Sequence, residues 1–125
     1  MRILVVKPER RPEVSEIDGS LKAMQDIVGS LIQPIPLIGD PDTVRVCNDN
    51  GKLMNLLANR GLRDESGQIY DIVRGTFFLC GTSVDCDYFI SLTSEQIERY
   101  RERFYTPEVF WCMDGRIVCL PLEAE

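Results

Sequence analysis

Histidine is absent from this 125-residue sequence. Its absence removes the side chain whose ordinary pKa lies nearest neutrality and the commonest transition-metal ligand. Ser-His-Asp, Cys-His and His-metal chemistries are excluded with it. Proton transfer is left to a carboxylate, lysine, tyrosine or thiol whose pKa is strongly shifted. The glycines at positions 61, 67, 75 and 81 belong to neither G-x-x-x-x-G-K-[ST] nor G-x-G-x-x-G, so a recognised phosphate cradle is also missing. No apolar run approaches the ~18 residues of a membrane span, and the start MRILVVKPE has no secretory pattern. With an odd count of five cysteines, the reducing cytosol is the expected compartment.

Positive charge is also in short supply. The formal net charge of -6 argues against nonspecific nucleic-acid binding, which depends on Lys and Arg neutralising phosphates. An acidic surface suits a basic partner or imitates a phosphate backbone. What is present, 44% hydrophobic and 27% charged residues, is enough for one globular domain over residues 1–125.

Local signals place most elements. Ile3 to Val6 and Glu13 to Ile17 read as strands around Pro8 and Pro12, with Lys7, Arg10 and Arg11 in a solvated turn. Ser20 caps a helix with Leu21, Met24, Ile27 and Val28 on its apolar side, and Gly29 ends it. Leu31 to Ile38 reads as a strand confined to an edge by Pro34 and Pro36. Thr43 to Cys47 alternates and meets the turn Asn48-Asp49-Asn50-Gly51. Around Arg63 to Gly67 the turn signal DESG separates Leu62 from Ile69, and Ile69 to Leu79 reads as one strand with a bulge at Gly75. Thr93 and Gln96 form a capping box, Leu92 and Ile97 a hydrophobic staple, and Glu95 stands four residues before Arg99. In VFWCMDGRIVCL, Asp114-Gly115 suits a type I′ turn that pairs Met113 with Arg116, Cys112 with Ile117 and Trp111 with Val118.

Three constellations could carry chemistry. Arg60, Arg63 and Arg74 stand near glycines, and with Tyr70 or Phe77 as a stacking platform they would grip a nucleotide-like anion. Cys80, Cys86, Cys112 and Cys119 lack the C-x-x-C spacing of a zinc knuckle, so buried hydrophobic thiols are the simpler reading. Asp85-Cys86-Asp87 offers two carboxylates, which suit an Asx-turn loop better than a divalent-ion site and would raise the Cys86 pKa. No catalytic residue, metal or cofactor is expected. Trp111 and Phe110, on a ribbon that is apolar on both faces, are the candidate partner anchors.

The ordered fragments IDGSLKAMQDIVG, VCNDNGKL, NRGL, IYDIVRGTFFLCG and SLTSEQIERY resemble a family found in bacteriophages, plasmids and conjugative elements, domain of unknown function three-eight-four-six. The likeness covers Met1 to Phe104, with GTFF, a short acidic loop and SLT its most specific part; residues 105–125 lie outside it. It implies a mobile-element origin and a site of action in the bacterial host cytosol, and it brings no catalytic residues.

The expected fold is a single α+β domain, a mainly antiparallel twisted sheet covered by two helices and extended by a C-terminal β-hairpin. The leading expectation for function is a non-catalytic accessory protein that binds a host protein, counter-defence being one form of that role. Self-association through the hairpin is the other partner expectation. A nucleotide-like anion module is the alternative, and a carboxylate-dependent enzyme the third.

Overall fold

A computed structural model describes residues 1–51, 54–83 and 88–122. Five strands form one antiparallel sheet in the order β2-β1-β7-β4-β3: β1 (Arg2–Val6), β2 (Glu13–Glu16), β3 (Ile32–Leu37), β4 (Asp40–Asn48) and β7 (Phe77–Gly81). Pro34 and Pro36 sit in β3, at one edge, where their missing N–H groups face no partner strand. Two more ladders stand apart from this sheet: β5 (Ala58–Arg63) with β6 (Ile69–Arg74), and β8 (Glu108–Met113) with β9 (Arg116–Pro121). The α+β class and the antiparallel pairing are as the sequence predicts.

The two helices lie on opposite faces of the main sheet, because alternate residues of its strands point to opposite sides. Ile3, Val5, Val44, Val46, Phe78 and Cys80 pack with Met24 and Val28 of α1 (Leu21–Val28). Leu4, Val6, Phe77 and Leu79 pack with Ile97, Tyr100 and Phe104 from α2 (Ser94–Arg103) and its end, joined by Leu62 and Val73 of β5–β6. Both helix starts follow the sequence signals. Ser20 Oγ accepts from Ala23 N at 3.1 Å, and Gly29 closes α1 at φ 86°. Thr93 and Gln96 exchange both bonds of the capping box, at 2.8 and 3.1 Å. Arg99 Nη1 lies 3.3 Å from Asp40 of β4, and Asp40 also accepts from Thr43 and from the Tyr100 hydroxyl, so α2 is tied to the sheet by a shared carboxylate.

Three expectations need correction. Ile69 to Leu79 is two strands in two sheets: Gly75, at φ 78°, turns the chain from β6 to β7 where a Cβ would stand 2.7 Å from Leu56 Cδ1. Ala58–Arg63, which no local signal marked, is strand, with Asn59 and Arg60 buried against partners distant in sequence. β4 is buried on both faces from Thr43 onward, because α1 covers one side and α2 with β5–β6 the other. The C-terminal hairpin does not extend the main sheet; it forms its own ladder and packs on β5. Its register nevertheless agrees pair for pair with the I′ reading, with Asp114 at φ 51° and Gly115 at φ 77°. Among the described residues no helix is long and apolar enough to cross a membrane.

Candidate functional site

The five residues expected to grip an anion do not converge. Arg60, 1% exposed, lies inside the molecule with its donors committed: Nε and Nη2 to the Phe104 carbonyl at 3.2 and 3.0 Å, Nη2 to Arg10 O at 2.5 Å, and Nη1 to Asn59 Oδ1 at 2.9 Å. Burial pulls its pKa down to about 10, partly opposed by the charge of Glu108, so the guanidinium stays protonated at neutral pH. Phe77 is wholly buried, its ring edge-on to Phe104 with centroids 5.7 Å apart, and offers no face for stacking. Both are corrected from ligand contacts to core residues. Arg63 and Tyr70 do share a small cavity, about 190 Å³, near Arg103, and Tyr70 shares another, about 490 Å³, with Arg74, but neither holds all three.

Arg63 turns instead toward the hairpin. Its guanidinium meets Glu108 at 2.7 and 3.3 Å, and Glu108 also accepts from Gly61 N at 3.1 Å and from the Cys119 thiol. Burial raises the Glu108 pKa, but the bonds from Arg63, Cys119 and the Gly61 amide outweigh it and hold the carboxyl below its ordinary value. Cys119 moves oppositely, to about 11, through burial first and then the neighbouring carboxylate. These contacts join both hairpin strands to β5. At pH 8, iodoacetamide should therefore modify exposed Cys112 well before Cys119, and before buried Cys80, whose pKa burial pushes to about 12. Peptide mass mapping over time checks that order.

Beyond the clamped base the ribbon becomes mostly exposed. Trp111, Met113 and Ile117 are 59%, 59% and 60% exposed. The register puts Trp111 and Met113 on one face and Ile117 on the other, so the tip is apolar on both sides. Phe110 is half-buried and lines a cavity of about 300 Å³ with Leu56, Leu57, Ile72, Trp111 and Ile117. The two predicted anchors thus stand together at the root and flank of an exposed apolar surface.

A third place had no counterpart in the sequence reading. Between the β3–β4 pair and β6 lies a cleft of about 290 Å³, lined by Ile35, Arg45, Asn48, Asp71, Ile72 and Arg74 among others. Arg45 Nη2 donates to Asp71 Oδ2 at 2.6 Å, from a side chain 5% exposed. The signal available in the sequence was a lone arginine inside TVRVC, a charge in a buried strand.

The reading of the cysteines as buried hydrophobic thiols holds for Cys80 and is corrected for Cys112, which is exposed at the hairpin tip, with Cys119 half-buried. Cys80 faces α1 in the core, while Cys112 and Cys119 lie on the hairpin. Cys86, with Asp85 and Asp87, lies outside the described residues. Among the described residues no three His, Cys, Asp or Glu side chains gather as a metal site would need.

Residues 1–105 match a family model described as Domain of unknown function (DUF3846). No curated protein and no solved structure matches the chain.

Proposed function

We propose that this chain, which belongs to the DUF3846 family of domains of unknown function, is a non-catalytic accessory protein that binds another protein through its C-terminal hairpin. The observation that carries this reading is the contrast along one ribbon: a base clamped by Glu108, Arg63 and Cys119, and a tip with Trp111, Met113 and Ile117 in solvent. A rigid base lowers the ordering cost of binding, and a tryptophan surrounded by aliphatic side chains is the usual kind of energetic anchor. The hairpin lies outside residues 1–105, so this contact surface is an addition to the shared family domain. The mobile-element setting implied by the sequence resemblance makes a host protein the partner class, with interference in host defence as one use of the contact.

The test places a photoreactive group at Met113 and isolates the cross-linked partner from host lysate. The captured protein, purified, should bind the full chain and lose about 30-fold in affinity with Trp111→Ala, the effect of removing an anchor worth roughly 2 kcal/mol. Because Trp111 is exposed, the variant should unfold within about 0.5 kcal/mol of the parent. Cross-links only to a second copy of the chain, or an affinity indifferent to Trp111→Ala, would refute the reading.

A further inference from the structure

We propose that the cleft between β3–β4 and β6 is a binding site for a small organic oxyanion, a carboxylate or phosphate monoester, held by Arg45 and Arg74. Arg45 Nε is a buried side-chain nitrogen without a hydrogen-bond partner, on a residue 4% exposed. Buried polar atoms in folded proteins are almost always paired, and a buried charge-bearing donor left empty is among the more costly exceptions. A guanidinium presents parallel N–H groups that match the two oxygens of a carboxylate or phosphate. Asp71 Oδ2 accepts from Nη2 of this fork, while Nε stays without a hydrogen-bond partner. A purely structural role explains why Arg45 needs a counter-charge there. It does not explain the empty edge, since an apolar side chain of similar volume would fill the position without any unmade bond.

A second cation stands at the same cleft. Arg74, on β6, is among the residues lining the cavity with Arg45, and its Nη1 donates to Leu56 O at 3.1 Å. Ile35, Ile72 and Val73 supply apolar wall, and Asn48 and Gln33 supply amides. A volume of about 290 Å³ falls at the lower limit of small-molecule pockets, roughly 300–1,000 Å³, so the ligand is compact and not a dinucleotide. Asp71 is then a built-in competitor: its carboxylate, 26% exposed, has the chemistry of the ligand and must yield Arg45 when the ligand enters. The site is distinct from the anion grip first expected, sharing only Arg74 with it.

The experiment titrates the full chain, its arginines labelled with nitrogen-15, with inorganic phosphate, phenyl phosphate and benzoate, following the arginine Nε–Hε signals. At least one probe should move one such signal saturably, and the signal missing from Arg45→Lys identifies it. Arg74→Ala, at the mouth of the cleft, should weaken that probe at least tenfold, and Asp71→Asn should strengthen it by about the same factor. The Arg74 variant keeps the test valid if Arg45→Lys fails to fold. The proposal falls if no probe saturates below about 10 mM, if Arg74→Ala binds as well as the parent, or if Asp71→Asn gains nothing. Because Arg74 also borders the hairpin cavity, Trp111→Ala must leave the titration unchanged; a loss there would put the ligand under the hairpin and overturn the assignment. Failure here leaves the hairpin reading untouched, since its test involves neither Arg45 nor Asp71.

Discussion

Replacing Arg60 with methionine should remove about 3–4 kcal/mol of unfolding free energy, close to half of what a domain of this size ordinarily has. The reason lies at the far end of α2. Helices finish with carbonyls that lack intrahelical donors and carry partial negative charge. Phe104 is the C-cap of α2, and its carbonyl takes two bonds from the Arg60 guanidinium, which also holds Arg10 O and Asn59 Oδ1. One side chain thus joins the helix end, the β1–β2 turn and β5. Methionine can fill the volume and removes the cost of burying a charge, but it leaves those acceptors without a donor. Lysine should do little better, because a single ammonium cannot reach the set of acceptors that the planar fork spans. Urea titration of the parent, Arg60→Met and Arg60→Lys measures the loss. A change below about 1 kcal/mol would mean that the guanidinium is no structural plug.

Phe77→Ala should cost a similar or larger amount, about 3–5 kcal/mol. Phe77 opens β7, between β1 and β4 in the middle of the main sheet, and its ring packs edge-on against Phe104, which in turn stacks with Tyr100 at 6.3 Å. Neighbours on a sheet and a helix cannot close over the void left by a phenyl ring, so the lost burial and the cavity add. Phe77→Leu, which keeps most of the volume, should recover more than half of the loss in the same titration. The two variants also test the structural assignment of residues that the sequence offered as ligand contacts: each should weaken folding, while anion titrations of the folded variants stay unchanged.

That misassignment shows where sequence reading succeeded and where it stopped. Ser20 with Gly29, Thr93 with Gln96 and Asp114 with Gly115 were legible because each signal and its consequence lie within a few residues. The proline-marked edge strand β3 was legible for the same reason. Arg60 was not, because its acceptors at Arg10 and Phe104 stand 50 and 44 residues away, and burial with such partners leaves no local mark. Gly75 showed that something happens between Arg74 and Phe77, but apolar residues on both sides look alike whether the chain bulges or changes sheets. Thr43 to Cys47 alternated as a half-exposed strand would, yet layers on both faces buried the polar positions as well. The hairpin and its apolar faces were legible from a single window around Trp111 and Phe110, whereas the Arg45 cleft depends on β6 lying beside β4, a juxtaposition that no window of sequence contains.

The separation of clamp and tip along the hairpin has an evolutionary consequence. Positions 111, 113 and 117 contribute little to holding the polypeptide together, so substitutions there are nearly free of folding penalty. On the proposed reading of the hairpin as a contact surface, those three positions could be rewritten repeatedly and shift partner preference in small steps, while the domain beneath keeps its shape.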